Sequence, residues 1–427
     1  MKTFMSIKYT STLIRLSSLL ISGLSSILIA NFILEFSGDT EFARYSLLIG
    51  ITSLLPFIDF GIGYRINALI LDHHSICNQR IRNDLSRCFT MLVIIWLTLS
   101  VSTLLVFKYT TFDLHTLIGL ESNDQILILA ILLLTFANVP LSIGSRILIA
   151  DGRILIPLVA SLAGTTITLA TLPIFFNLAP SRTRYLGVIP MLIMVFVNIF
   201  LFLYAQKKTG FRVNVVLNSS RTGTFEILSY GLSATLTNSF MPIILQLPKY
   251  ILGHQGYTRE VSEYSLFLLF LQPIITASTF SLLAVLPDIR RTTAEKGQFR
   301  SIVSAYTFSL AVGFVLSIVY LAVSELPLQF PVNFPEQQLN FLLLILVPFQ
   351  ILRQNLTATF TNRRNLCFFL MTFSVTLLVV LIFQQWIHSM SAFGAILSIV
   401  LFESVLSCAI SILFFRKHVQ FLTRELS

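Results

Sequence analysis

The sequence predicts an all-α integral membrane protein, with twelve transmembrane helices in two six-helix lobes and both termini in the cytoplasm. Three observations lead there. The 427 residues are 55% hydrophobic and only 11% charged, whereas a water-facing domain carries about 25% charge. Apolar stretches of about 20 residues, enough to cross a bilayer, recur twelve times. Lys and Arg gather on alternate connections between those stretches. This composition excludes a soluble enzyme, a disordered chain and a fibrous protein. The net charge of +10 then reads as the positive-inside bias of membrane proteins, so no nucleic-acid partner is expected.

The spans run approximately over 12–34, 43–68, 88–107, 125–149, 154–178, 185–205, 227–250, 263–287, 301–326, 338–361, 366–387 and 391–415. The first is too long for a signal-peptide core, and no A-x-A site follows it. Of the 29 Lys and Arg residues, 19 fall on the side that carries the termini, 5 on the opposite side and 5 inside spans. The pair Arg182 and Arg184 is the local exception. The bias places both termini inside the cell. Cys77, Cys88, Cys367 and Cys408 show neither CxxC nor metal-type spacing, so no disulfide framework or zinc site is expected. The sequons at Asn218 and Asn355 fall in a cytoplasmic loop and a span, where glycosylation is not expected.

The longest polar connection, 206–226, divides the chain into an N-terminal lobe (1–205) and a C-terminal lobe (227–427). An internal echo supports two repeated halves. Glu41-Phe42-Ala43-Arg44-Tyr45-Ser46-Leu47 opens the second span, and Glu260-Val261-Ser262-Glu263-Tyr264-Ser265-Leu266 opens the eighth, 219 positions later. Likewise the turn Asp151-Gly152-Arg153 has a counterpart at Asn362-Arg363-Arg364. Repeated halves are common in transporters, with the substrate path between them.

Charges inside spans cost several kcal/mol in lipid and normally face a bundle interior or a wet cavity. Here they are Arg15, Asp59, Arg65, Arg146, Lys249, Arg353 and Glu403, five basic and two acidic. Several stand on polar stripes at helical spacing: Arg15, Ser18, Ser22 and Ser25; Thr52, Pro56, Asp59 and Gly63; Asn138, Ser142 and Arg146; Gln350, Arg353 and Thr357. A stripe holding an Arg is read as cavity lining, and Ser and Thr alone as helix packing. By helical rise, Arg353 lies roughly 20 Å from the outer start of its span and Glu403 roughly 18 Å into its own. Arg65 and Arg146 stand near cytoplasmic ends, within snorkelling reach of water. Prolines at 56, 140, 157, 173, 190, 242, 248, 273 and 348 lie in or at the ends of spans, where they bend helices.

The order of these features resembles a known family. Glu41 to Tyr45 followed by Asp59-Phe60-Gly61-Ile62-Gly63 is similar to the E-x-x-G-x-Y … D-x-G opening of polysaccharide-export flippases. These belong to the MOP (multidrug/oligosaccharidyl-lipid/polysaccharide) exporter superfamily, and the nearest type is the O-antigen flippase, Wzx. The Ala150-Asp151-Gly152-Arg153 turn, the stretch Gln246-Leu247-Pro248-Lys249 leading to Tyr264, and Pro287 ending the eighth span match as well. Nearly the whole chain is covered. The departures are Arg44, where the family often has Gly, and Pro248-Lys249, where an acidic residue with Arg is common.

The resemblance implies two six-helix bundles around a cationic cavity that opens to each side in turn. The cargo it implies is undecaprenyl-diphosphate-linked oligosaccharide, moved across the bacterial inner membrane. Arg15, Arg65, Arg146, Lys249 and Arg353 would bind the anionic head group, for which fixed positive charge is well suited. Asp59 and Glu403 would balance charge or couple to a proton or sodium ion. No cofactor and no metal site are expected. Membrane lipid, a polysaccharide polymerase and a chain-length regulator are the other expected partners.

Two rival classes have discriminating features. A cation-coupled multidrug antiporter of the same superfamily would favour buried carboxylates over the basic surplus. A polysaccharide polymerase or glycosyltransferase would need a large outer loop or a catalytic cluster. The longest outer loop, 108–124, holds Asp113, His115, Glu121 and Asp124 without metal-type spacing. No GxxxxGK[ST] is present, so direct ATP use is not expected, and His73-His74 reads as a solvated loop.

Overall fold

The structure is a computed structural model. It describes residues 2–52, 58–60, 62, 66, 79–109, 124–151, 153, 155–178, 187–209, 245–291, 295–325, 337–359 and 392–407. Among these there is no strand. The helices are α1 (Lys2–Thr52), α2 (Gln79–Tyr109), α3 (Gln125–Leu141), α4 (Ile143–Ala150), α5 (Leu155–Leu178) and α6 (Val188–Thr209). They continue as α7 (245–254), α8 (Thr258–Arg291), α9 (Glu295–Glu325), α10 (Gln337–Thr359) and α11 (Ala392–Ser407). The chain gathers into two compact units, Met1–Ser262 and Glu263–Ser427.

The expected first two spans share α1 without the loop foreseen between them. Their boundary is Gly38, whose φ of 79° and ψ of 178° interrupt the helix; glycine takes this left-handed value without a Cβ clash. The second span is not continuous, because Asp59 and Phe60 form a turn, with Phe60 at φ 46°. The Ile62 amide donates to the Asp59 carbonyl at 3.0 Å and closes that turn. The fourth span is split at Ser142 into α3 and α4, just after Pro140. Proline supplies no amide and crowds the preceding turn, so a kink falls there. Pro287, expected to end the eighth span, does not: α8 continues to Arg291. The expected eleventh span and both ends of the twelfth lie wholly or partly outside the described residues.

In the first unit α3 is packed by α1, α2 and α6, and α6 also meets α4 and α5. Leu85, Cys88 and Leu92 of α2 interlock with Val139, Ile143 and Leu201 in a fully packed cluster. Phe89 and Phe202 stack at 5.6 Å beside it. Between lipid-embedded helices apolar burial supplies little drive, so close backbone approach matters more. Gly144 provides it: a Cβ there would stand 2.6 Å from the Phe202 amide nitrogen. In the second unit α9 packs on α10, and the Ser407 hydroxyl of α11 donates to the Phe349 carbonyl of α10 at 2.8 Å.

The outer faces are apolar. Ile94, Leu97, Val101, Leu104 and Leu105 are exposed along α2, and Phe196, Phe200 and Leu203 along α6. The steps of three and four make one stripe per helix. On a soluble protein such stripes would be interaction patches; here they are lipid-facing. Among the described residues Asn83–Tyr109, Gln125–Ile149 and Val188–Thr209 are long and apolar enough to cross a membrane.

Candidate functional site

The site with charge at its centre is built from a turn and a helix kink in the first unit. The turn at Asp59-Phe60 stops the helix and presents the Asp59 carboxylate. The kink at Ser142, at φ −61° and ψ −17°, leads into α4, which carries Arg146 one turn later. Arg146 Nη2 donates to Asp59 Oδ2 at 2.8 Å. The carboxylate side chain is 4% exposed and the guanidinium side chain 25%. A guanidinium has five donor hydrogens in a planar fork. The bond to Asp59 occupies one of them, so Arg146 can engage a second anion from its open side.

The rest of the Asn138, Ser142 and Arg146 stripe does not carry charge to this site. Asn138 donates to the Leu134 carbonyl at 3.0 Å and accepts from Asn198 at 2.8 Å. Both amides are buried. Ser142 returns its hydroxyl to the Val139 carbonyl at 2.8 Å. Ser25 and Thr52 do the same to Ile21 and Ile49. Asn198 was not singled out from the sequence, although a lone amide in the apolar run of α6 was a readable signal.

Lys249 is elsewhere in the same unit. It is 4% exposed, and its ammonium donates to the Ser46 carbonyl of α1 at 2.6 Å. It also stands 5.8 Å from the centre of the Tyr250 ring. No carboxylate lies within ion-pair distance of it among the described residues. Its surroundings, Ser46 and Gly50, drew no functional reading from the sequence.

In the second unit Glu403 on α11 and Gln350 on α10 are both fully buried. Among the described residues the Gln350 amide has no hydrogen-bond partner for either its nitrogen or its oxygen. Arg15 and Arg353 lie within α1 and α10, but their side chains are outside the described residues. Arg65, His73 and His74 also lie outside them. Of the seven residues proposed from the sequence, the structure brings together Asp59 and Arg146. No group of three or more His, Cys, Asp or Glu side chains able to hold a metal occurs among the described residues.

No family model and no curated relative matches the chain. Solved structures do. The inward-facing conformation of a multidrug resistance MATE family transporter of the MOP superfamily aligns with a TM-score of 0.66 and 16% identity, over 97% of this chain and 99% of that one. A MOP superfamily transporter from Pyrococcus furiosus aligns with a TM-score of 0.65 and 16% identity, over 97% of each chain. A MATE protein in complex with Br-NRF aligns with a TM-score of 0.60 and 17% identity, over 96% of each chain. The apolar helices and these matches define a multi-pass membrane protein with the all-helical fold of MOP superfamily transporters.

Proposed function

We propose that this chain is a flippase of the bacterial inner membrane. It moves a lipid-diphosphate-linked oligosaccharide, the O-antigen unit being the expected form, from the cytoplasmic to the periplasmic leaflet. Movement is by alternating access through a cationic cavity. The observation that carries this reading is Arg146, a buried-side cation with a quarter of its side chain open and most of its donor fork unspent. A diphosphate offers paired anionic oxygens, which a planar guanidinium meets with two parallel hydrogen bonds. Arg15, Arg65 and Arg353 extend the same charge in this proposal, while the lipid tail stays in the bilayer. Asp59 holds Arg146 in place until cargo arrives, and Glu403 is the candidate for coupling to a proton or sodium ion.

The multidrug antiporter is the second reading, because solved proteins of this fold are multidrug resistance transporters. For the Pyrococcus furiosus protein, reverse polarity of the binding pocket suggests a different function. By the same reasoning, the five basic against two acidic intramembrane residues of this chain disfavour cationic drugs.

The test is reconstitution. Purified protein in sealed vesicles is given fluorescent undecaprenyl-diphosphate-linked sugar in the inner leaflet, and its arrival outside is read with an impermeant quencher. Accelerated arrival supports the flippase. Export of ethidium with no acceleration of the lipid-linked sugar would establish the antiporter in its place.

A further inference from the structure

The internal echo has a structural counterpart that the flippase reading does not use. Each copy touches residues that precede the other. Residues 245–262 group with α1–α6 in the first compact unit, and three side-chain hydrogen bonds tie them to the second half of α1. The Lys249 ammonium donates to the Ser46 carbonyl at 2.6 Å. The Tyr250 hydroxyl donates to the Leu47 carbonyl at 3.2 Å, and the Ser262 hydroxyl to the Asp39 carboxylate at 3.2 Å. Gly50 makes the approach possible. A Cβ there would stand 2.6 Å from Tyr250 Oη, 2.7 Å from Lys249 Nζ and 2.9 Å from Gln246 Oε1.

Position and chemistry indicate what this contact does. Each partner segment borders a left-handed glycine, Gly38 at φ 79° beside Asp39 and Gly256 at φ 81° beside the start of α8. A Cβ at either glycine would meet nothing within 4 Å, so both turns have open space around them. The Lys and Arg distribution puts these turns on the outer face. Lys249 and Ser262 are buried at the contact, while Asp39 is exposed at its rim. A permanent helix interface in lipid is best made by small or apolar side chains. A buried ammonium resting on a backbone carbonyl is a costly way to build one. It suits a contact that must also come apart, because the released ammonium then meets water.

The geometry points to an outer gate: Lys249, Tyr250 and Ser262 clasp α1 and close the exit while the cavity faces inward. The clasp parts when cargo leaves, and Lys249 then adds its charge to the outer mouth of the path. This rests on the transport reading, and the labelling arm below needs no cargo.

In a cysteine-free parent, with Ser replacing Cys77, Cys88, Cys367 and Cys408, Ser46→Cys is labelled from outside by an impermeant maleimide. Ser46 serves the clasp through its backbone, so that substitution leaves the contact intact. Adding Gly50→Val displaces the polar tips, and adding Lys249→Met deletes one. Each should speed labelling about tenfold, the equilibrium worth of one charge-assisted hydrogen bond. Unchanged rates in both variants overturn the gate. In the second arm Asp39→Cys and Ser262→Cys are joined by oxidant. Joining should stop export, and reductant should restore it. Wild-type export through the joined protein, or a pair that never joins, overturns the gate as well. A parent that exports no lipid-linked sugar refutes the flippase reading alone, since labelling still reports on the clasp.

Discussion

Arg146 and Asp59 stand 87 positions apart in the chain and 2.8 Å apart in the structure. The cation follows a kink at Ser142, and the anion stands in the turn at Asp59-Phe60. Non-helical backbone at membrane depth, as at Phe60, is tolerated where protein or a hydrated cavity surrounds it. Phe60 at φ 46° adds strain of the kind found at working sites. The pair is unequal: the carboxylate is enclosed, and the guanidinium keeps an open side. Within the pair, Asp59 is the partner with less access to water.

That inequality sets the first prediction. Arg146→Gln should destabilise the protein by about 1–3 kcal/mol, less than the roughly 3–5 kcal/mol for breaking a wholly buried pair, because water reaches the guanidinium. The double variant Asp59→Asn with Arg146→Gln should recover most of that stability and none of the export. The measurement is a double-mutant cycle on the thermal midpoint in detergent. Strict additivity of the two single losses would show that the contact carries no coupling.

Asn138 and Asn198 provide the contrasting case, a buried pair with no charge. Asn198→Leu leaves Asn138 Oδ1 without its 2.8 Å donor, an error worth about 1–3 kcal/mol. Replacing both by Leu should cost less than the single change, because no orphan remains. Export per inserted molecule should stay near wild type in the double variant. Loss of export at normal stability would move these amides from scaffold to transport path.

Much of this architecture was readable from the chain because its causes are local. Apolar run lengths marked α2, α5, α6, α9 and α10. The Asp151-Arg153 turn was also found, and it is braced by a 2.8 Å ion pair. What escaped depended on tertiary context. Gly38 replaced a loop with a single left-handed residue. Pro287 did not stop α8, since neighbouring groups can re-satisfy a freed carbonyl in a membrane helix. That Asp59 would meet Arg146, and Lys249 the Ser46 carbonyl, could not be read from spacing. These partners lie 87 and 203 positions apart, beyond any helical period.

Close backbone approach yields a third prediction. A Cβ at Gly144 would meet the Phe202 backbone, with the Phe202 amide nitrogen at 2.6 Å and the Leu201 carbonyl carbon at 2.9 Å. Backbone cannot swing aside as a side-chain tip can, so Gly144→Val must push α4 from α6. Overpacking of this kind costs about 1–3 kcal/mol or more. Protein recovered in the membrane should fall, and with it the Arg146 contact on the same short helix. Gly50→Val, which meets side-chain tips only, should insert normally. Equal recovery of the two variants would contradict the distinction.

The final prediction concerns how positive charge is used along the path. Arg353 stands one helical turn beyond Gln350 on α10, where Gln350 and Ile351 are fully buried. The sequence reading puts it roughly 20 Å from the outer start of its span by helical rise, an expected depth beyond snorkelling reach. An arginine at that depth is costly in the empty protein, and a bound anion offsets the cost. Arg353→Ala should therefore abolish export of lipid-linked sugar while leaving insertion intact. Arg353→Lys should retain a part, because charge survives and the two-pronged geometry does not. Arg15→Ala, near the end of its span, should lose less. The readout is surface polysaccharide in a complemented null strain, normalised to protein in the membrane. Wild-type export by a normally inserted Arg353→Ala protein would refute the cationic path at this residue. Equal loss in the Ala and Lys variants, with low protein levels in both, would make Arg353 a strut between helices.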